Sequence, residues 1–356
     1  MTPRGAALLS GHLSVVLGAL VLSFSLTWTA CTRDNVEVKT CAQHANADVA
    51  VDACSRAIES GRLSSSRLVT TLYNRGLAYQ LRGDVDRAIQ DFDRVIALRP
   101  ESPKALYNRG VARQETGEFD LAIRDFDRVV QLTPEYSAAF RRRGNAYRST
   151  LAFDRAIQDY DQAIRLSPDY AVPFSNRGVA YLNKGAYDRA IQDFDQAIRL
   201  KPDDGSAYRG RGSAYYDTGE FKQAAADFTR AAELRRGDPY ATILFFLAER
   251  RVGVNATASG LRDRASGLDL DTWPGRVVSM HLGEASPDQV LEAAKRSNPK
   301  AQRELRCEAY YYIGQGLTIR GQREKAIEMF QAAIAAGPTS AIEYMGARAE
   351  LKRLGR

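Results

Sequence analysis

Histidine, cysteine, methionine and tryptophan are scarce in this chain, at three, four, four and two residues among 356. The histidines, His12, His44 and His281, are scattered, and no two cysteines stand in a CxxC spacing, so the sequence writes no ligand set for a metal. No nucleophile is accompanied by a base at a recognisable spacing, which argues against an enzyme, and nothing calls for a cofactor. A run long enough to span a bilayer is also missing: Leu13 to Trp28 is uncharged and apolar but falls short of the about 20 residues a spanning helix needs. An excess of one charge is lacking too. The 50 Lys and Arg are interleaved with 43 Asp and Glu, leaving a net charge of +7, which reads as a mixed-sign helical surface rather than a nucleic-acid face.

The apolar run follows Arg4 and gives way to polar sequence at Thr32 and Arg33, the pattern of a secretory signal over residues 1–30. The chain is therefore expected to leave the cytoplasm. Cys31 follows Ala30, where a bacterial lipoprotein signal places its lipidated cysteine. Trp28, however, stands where such signals usually carry Leu, and it also fits poorly with ordinary cleavage after Ala30. A lipid-anchored form and a soluble exported form both stay open. Cys41 and Cys54 lie near the start of the mature chain, and an oxidising compartment would join them as a disulfide. The alternative is two reduced thiols, with Cys54 packed as a small hydrophobe. Cys307 has no obvious partner.

What is present in abundance is a period. Gly76, Gly110, Gly144, Gly178 and Gly212 follow one another at steps of 34 residues. Twelve residues after each comes Ala88, Ala122, Ala156, Ala190 or Ala224, and sixteen after comes Phe92, Phe126, Tyr160, Phe194 or Phe228. Proline follows the first four at Pro100, Pro134, Pro168 and Pro202. Small residues that let two antiparallel helices approach, an aromatic that fills the space between units, and a proline that opens the next turn make a helix-turn-helix repeat. The pattern resembles the tetratricopeptide repeat. That resemblance implies an all-α fold, an α-solenoid wound as a right-handed superhelix, whose concave surface binds other proteins.

The organisation reads as a helical N-terminal cap over 35–66, five repeats over 69–238, an irregular helical segment over 239–306, and a further repeat with a capping helix over 307–356. In the last of these Gly314, Ala326, Phe330 and Pro338 reproduce the spacings. The later part of the chain is also similar to the C-terminal half of the NlpI family of envelope tetratricopeptide lipoproteins. The matching residues are Tyr240-Ala241, Leu247-Ala248-Glu249, Trp273, Leu282-Gly283, Ser286, Tyr311-Tyr312-Ile313-Gly314, Ala326, Phe330, Glu343 and Leu351. This likeness implies a periplasmic or outer-membrane adaptor, often a homodimer, that gathers a C-terminal-processing protease and peptidoglycan hydrolases. A structural component of an envelope or secretion assembly is the alternative. Any membrane association would come through the lipid anchor.

Repetition also disposes of a tempting catalytic reading. Asp91-Phe92-Asp93 recurs as Asp125-Phe126-Asp127, Asp159-Tyr160-Asp161 and Asp193-Phe194-Asp195; paired carboxylates made once per period are scaffold. Arg75, Arg109, Arg143, Arg177 and Arg211 each precede a repeat glycine, and each guanidinium is expected to reach an Asp of the triplet on a packed helix, phosphate binding being the alternative. Binding candidates lie on the first helix of each repeat, on the face a tetratricopeptide stack turns inward: Tyr73, Tyr107, Arg141, Arg142, Asn145, Arg148, Asn176, Arg209 and Tyr216. In tetratricopeptide domains that clamp a terminal carboxylate, a basic residue, an Asn one turn on and an Asn in the next repeat act together. Arg141, Asn145 and Asn176 match these, whereas Ser206 and Gly210 stand where further basic residues would be expected. A solvated basic face is the plainer reading of the same side chains.

Overall fold

The computed structural model describes residues 38–41, 46–235, 237–253, 258–336 and 342–356. The signal segment, Cys31 and Pro338 lie outside them. Among the described residues every regular element is helical, and the chain divides into two compact units, one ending at Thr133 and the other running from Pro134 to Arg356.

The first unit contains α1 (Ala47–Glu59) and two helix hairpins, α2 (Ser65–Leu81) with α3 (Val85–Leu98) and α4 (Pro103–Glu115) with α5 (Phe119–Leu132). In α1 the residues Ala50, Ala53, Cys54 and Ala57 are buried, so the helix presents the small-residue stripe of a second repeat helix. The sulfur atoms of Cys41 and Cys54 are joined as a disulfide at 2.11 Å, in a buried cluster with Ala53. Local signals set the helix starts: Ser102 caps α4 through the Ala105 amide and is followed by Pro103 at the first helical position.

The second unit continues with three hairpins: α6 (Ser137–Ser149) with α7 (Phe153–Leu166), α8 (Ala171–Asn183) with α9 (Tyr187–Leu200), and α10 (Gly205–Thr218) with α11 (Phe221–Leu234). Beyond them come α12 (Pro239–Val252), α13 (Ala258–Arg264), α14 (Gly275–Leu282), α15 (Pro287–Ala293), α16 (Pro299–Ile319), α17 (Arg323–Ala335) and α18 (Ile342–Arg353). The periodic glycine is explained by the aromatic of its own hairpin. A Cβ on Gly144 would stand 2.7 Å from the Tyr160 ring, and one on Gly314 would stand 2.7 Å from Phe330. The aromatic thus fills the space inside its hairpin rather than only the gap to the next. Ala156 and Tyr160 are fully buried, and with Ala180 of the next hairpin they form a continuous core.

A polar ladder runs beside this core in both units. Arg75, Arg109, Arg143, Arg177 and Arg211 donate through Nε to Asp91, Asp125, Asp159, Asp193 and Asp227 at 2.7, 3.0, 2.8, 2.8 and 2.8 Å. Three of them also reach back to the preceding hairpin: Arg109 to Asp93 at 2.6 Å, Arg177 to Asp161 at 2.5 Å and Arg211 to Asp195 at 2.6 Å. The first Asp of each triplet is buried and the second lies nearer the surface, so in Arg109, Arg177 and Arg211 one planar guanidinium spans two carboxylates and ties its hairpin to the one before.

Candidate functional site: a cleft on the inner helices

The site is built from α6, α8 and α10 of the second unit, closed by the C-terminal helices. Arg148, Asn176, Val179, Arg209, Ser213 and Tyr216 come from the repeats; Tyr240, Leu244, Glu308, Tyr311, Ile342 and Glu343 come from α12, α16 and α18, around a cleft of about 340 Å³. That volume lies at the lower end of ligand pockets, about 300–1,000 Å³. Helix α18 packs against both α8 and α10, so the chain's own C-terminal segment covers part of the repeat surface.

Of the residues predicted to face inward, the structure brings Arg148, Asn176, Arg209 and Tyr216 to this cleft. Tyr216 departs from the expectation of an open groove side chain: it is 1% exposed, and its hydroxyl donates to Gln315 Oε1 at 2.8 Å. The covering helices, which the repeat spacing does not reveal, turn it into a wall. Asn145 sits one step deeper. Its Oδ1 accepts from Asn176 Nδ2 at 2.9 Å and from the Tyr160 hydroxyl at 2.8 Å, which leaves Nδ2 as the group able to meet a partner. Arg141 lies over the Tyr170 ring at 5.9 Å, and Arg142 is half-buried beside it on α6. In the first unit Tyr73 packs on Phe92 and its hydroxyl accepts from Asn108 at 2.8 Å, while Tyr107 meets Phe126 edge-on. These two rings are therefore half-committed to their own hairpins.

Sequence reasoning missed the acidic side of the cleft. Tyr240 donates to Glu308 Oε2 at 2.9 Å and accepts from Trp273 Nε1 at 3.1 Å, while Tyr312 donates to Glu343 Oε1 at 2.7 Å. Burial, and then the like charge of Glu343, pushes the Glu308 carboxyl up to about 8. Burial, followed by Glu350, likewise raises Asp217 well above the usual carboxylate range, and its Oδ2 is shielded without a hydrogen-bond partner. Across from them, Arg209 stacks on Tyr240 at 5.9 Å, and neither it nor Arg148 has a carboxylate in ion-pair contact among the described residues. Burial thus holds two carboxyls of the lining, Glu308 and Asp217, toward their neutral forms on the same cleft as these guanidiniums.

Among the described residues no group of His, Cys, Asp and Glu is arranged to hold a metal ion, and no helix is long and apolar enough to cross a membrane.

Residues 69–102, 103–136, 152–185 and 176–240 match tetratricopeptide-repeat families. The chain carries tetratricopeptide repeats. A relative named as a lipoprotein NlpI homolog, from Haemophilus influenzae, is 28% identical over 119 residues, or 33% of this chain and 38% of that protein. The match thus spans under two fifths of the relative's length. Among solved structures, a tetratricopeptide repeat protein from Parabacteroides merdae aligns with a TM-score of 0.58 and 18% identity, covering 71% of this chain and 98% of that one. PilF of Pseudomonas aeruginosa aligns at 0.52 and 18%, covering 62% and 98%. At that identity the two structures speak for the fold alone, a tetratricopeptide α-solenoid. The repeats make this chain a protein-binding scaffold that resembles NlpI.

Proposed function

We propose that the chain is an exported adaptor of the Gram-negative envelope, which recruits a periplasmic protease or a peptidoglycan hydrolase through the inner face of its repeats. The observation that carries the reading is the cleft on α6, α8 and α10, which Arg148, Asn176 and Arg209 line together, with Asn145 behind Asn176 and holding it by a hydrogen bond. Such an arrangement suits a carboxylate of a partner chain, since charge-assisted hydrogen bonds are the strong ones. The Cys41–Cys54 disulfide supports the compartment, because such bonds persist where the surroundings are oxidising. The NlpI-like relative supports the same place, and Cys31 would supply the anchor in a lipidated form.

The test is capture by the tagged full chain from a Gram-negative envelope, followed by affinity measurement with the purified partner. Arg148→Ala combined with Arg209→Ala removes two donors that have no internal ion pair, and should weaken binding at least about tenfold, roughly 1.4 kcal/mol, with an unchanged helical circular-dichroism signal. Equal binding by the variant and the parent would remove the inner face as the recognition site. Capture of a large assembly in place of a single protease or hydrolase would favour a structural role in an envelope complex.

A further inference from the structure

Helix α18 has a second side that the inner cleft does not use. Met345, Arg348, Ala349 and Lys352 are spaced three and four apart and share one face of the helix. With Lys184, Gly185 and Tyr187 at the turn between α8 and α9, and with Ile334 of α17, that face lines a larger cleft of about 840 Å³. Its charge is one-sided. Lys184 pairs with Asp154 and Arg353 with Glu350, so these two cations are partly answered within the chain. Arg348 and Lys352 are exposed and have no carboxylate partner among the described residues; the contact Arg348 makes is with the Met345 sulfur, at 3.9 Å. Asp217 is the acidic residue of the lining, and its carboxyl is held toward the neutral form by burial. Beneath the charges lies an apolar floor of Met345, Tyr187 and Ile334.

We propose that this cleft docks an acidic segment of a partner protein, one that sets glutamate or aspartate against Arg348 and Lys352 and an apolar side chain against Met345 and Tyr187. The inference rests on the protein-binding reading of the repeats and adds a second surface to it. Charge complementarity argues for the acidic partner. The apolar floor argues for a peptide rather than an anionic bilayer, because a flat lipid surface reaches the exposed cations and leaves a recessed floor empty. The surface exists only where α18 meets the fourth repeat, so it belongs to the folded assembly of the repeats with the C-terminal segment.

The experiment is fluorescence anisotropy of a labelled Glu-Glu-Leu-Glu-Glu peptide with the full chain. The parent should bind, and more weakly as salt rises. Arg348→Glu with Lys352→Glu should lower the affinity about tenfold or more, and Arg348→Lys should retain it. Both charge reversals are at exposed positions, and an unchanged melting curve shows that the variant folds. Absence of peptide binding by the parent, or equal binding by the reversed variant, overturns the proposal. So does charge-dependent retention on phosphatidylserine vesicles by a parent that ignores the peptide, which would assign the cleft to a membrane surface. The Arg148→Ala, Arg209→Ala variant should bind the peptide as the parent does, so failure of the inner cleft and failure of this one are separate results.

Discussion

The repeats and the C-terminal segment solve the same problem, burying arginine beside carboxylate, in opposite ways. In the repeats one guanidinium per 34 residues meets a buried Asp on its own hairpin, and the second Asp of the triplet lies at the surface. The loss of one rung is felt by its neighbours only, as expected for a quasi-one-dimensional stack. In the C-terminal segment the chemistry is gathered once. Arg251 donates to Glu350 Oε1 at 2.8 Å, to Gln315 Oε1 at 3.0 Å and to the Tyr216 hydroxyl at 3.2 Å. Arg353 pairs with the same Glu350 and donates to the Tyr216 and Asp217 carbonyls at 3.1 and 3.0 Å. One network therefore joins α10, α12, α16 and α18. Repetition spreads cost; a single buried node concentrates it.

That contrast sets the largest expected effect. Arg251→Ala leaves Glu350, 1% exposed, with part of its compensation gone, and breaking a buried pair in this way costs about 3–5 kcal/mol. The retained Arg353 places the outcome at the lower end. Loss should fall on the docking of α18, read as faster hydrogen exchange in α16 and α18 as well as a lower melting temperature. Arg177→Ala also unpairs a buried carboxylate, Asp193, which burial already raises above its usual range. Water reaches that ladder, so we expect roughly half the cost, about 2 kcal/mol, confined to the third and fourth repeats. Equal costs for the two variants, or exchange that spreads equally, would erase the distinction between ladder and node.

The two regions also differ in how much of them could be read in advance. The ladder was legible because its partners sit a constant sixteen residues apart and recur: an arginine before each repeat glycine, an aspartate before each repeat aromatic. Period alone also exposes the hairpins and the small Ala156 and Gly144 between their helices, though it assigns Tyr160 to the gap between units rather than to the space beside Gly144. The node has no such signature. Arg251, Gln315 and Glu350 are far apart in sequence and occur once, so nothing in the spacing of any one of them announces the others. The same gap explains Tyr216. Repeat spacing puts it on the inner helix, yet its burial is decided by Arg251, Gln315 and the other residues of the C-terminal segment that pack over it, whose positions the 34-residue period does not give. Glu308 and Asp217 were missed for that reason as well, and Glu343 stands out in the sequence only for its likeness to the NlpI family, not as part of a site.

A smaller effect tests whether the cleft closed by the C-terminal segment is as dry as its geometry implies. Glu308 has a folded value of about 8 against an ordinary 4.5, raised first by burial and then by Glu343. A group raised on folding contributes stability that is fully present below its unfolded value and is lost as pH rises through the folded one. Stability of the second unit should therefore decline between about pH 4.5 and 8, and Glu308→Gln should flatten that decline. The size of the decline reads out how far water reaches the carboxyl at the mouth of the cleft. Thermal melts across this range decide it: an unchanged slope in the variant would mean that Glu308 is ionised and solvated.

The smallest expected effect lies within the repeats themselves, where one rung departs from its fellows. The turn between the two helices of a hairpin uses Gly83, Gly117, Gly185 and Gly219 at φ of 80, 82, 71 and 91°, and the third repeat places Leu151 there at φ 62°. The left-handed conformation brings Cβ against the following carbonyl, at about 1–2 kcal/mol for a residue other than glycine. Glycine returns part of this through the extra freedom it gives the unfolded chain, about 0.5–1 kcal/mol. Leu151→Gly should thus stabilise the second unit by roughly 0.5–1 kcal/mol, seen as a higher denaturation midpoint with an unchanged slope. Leu151→Ala keeps the Cβ and so should bring no gain. The converse is cleaner still: a Cβ at Gly117 would meet nothing within 4 Å, so Gly117→Leu introduces the strain without a clash and should cost about 1 kcal/mol in the first unit. If Leu151→Gly were neutral while Gly117→Leu was costly, packing around Leu151 would be offsetting its strain, and the third repeat would be adapted to leucine at that turn.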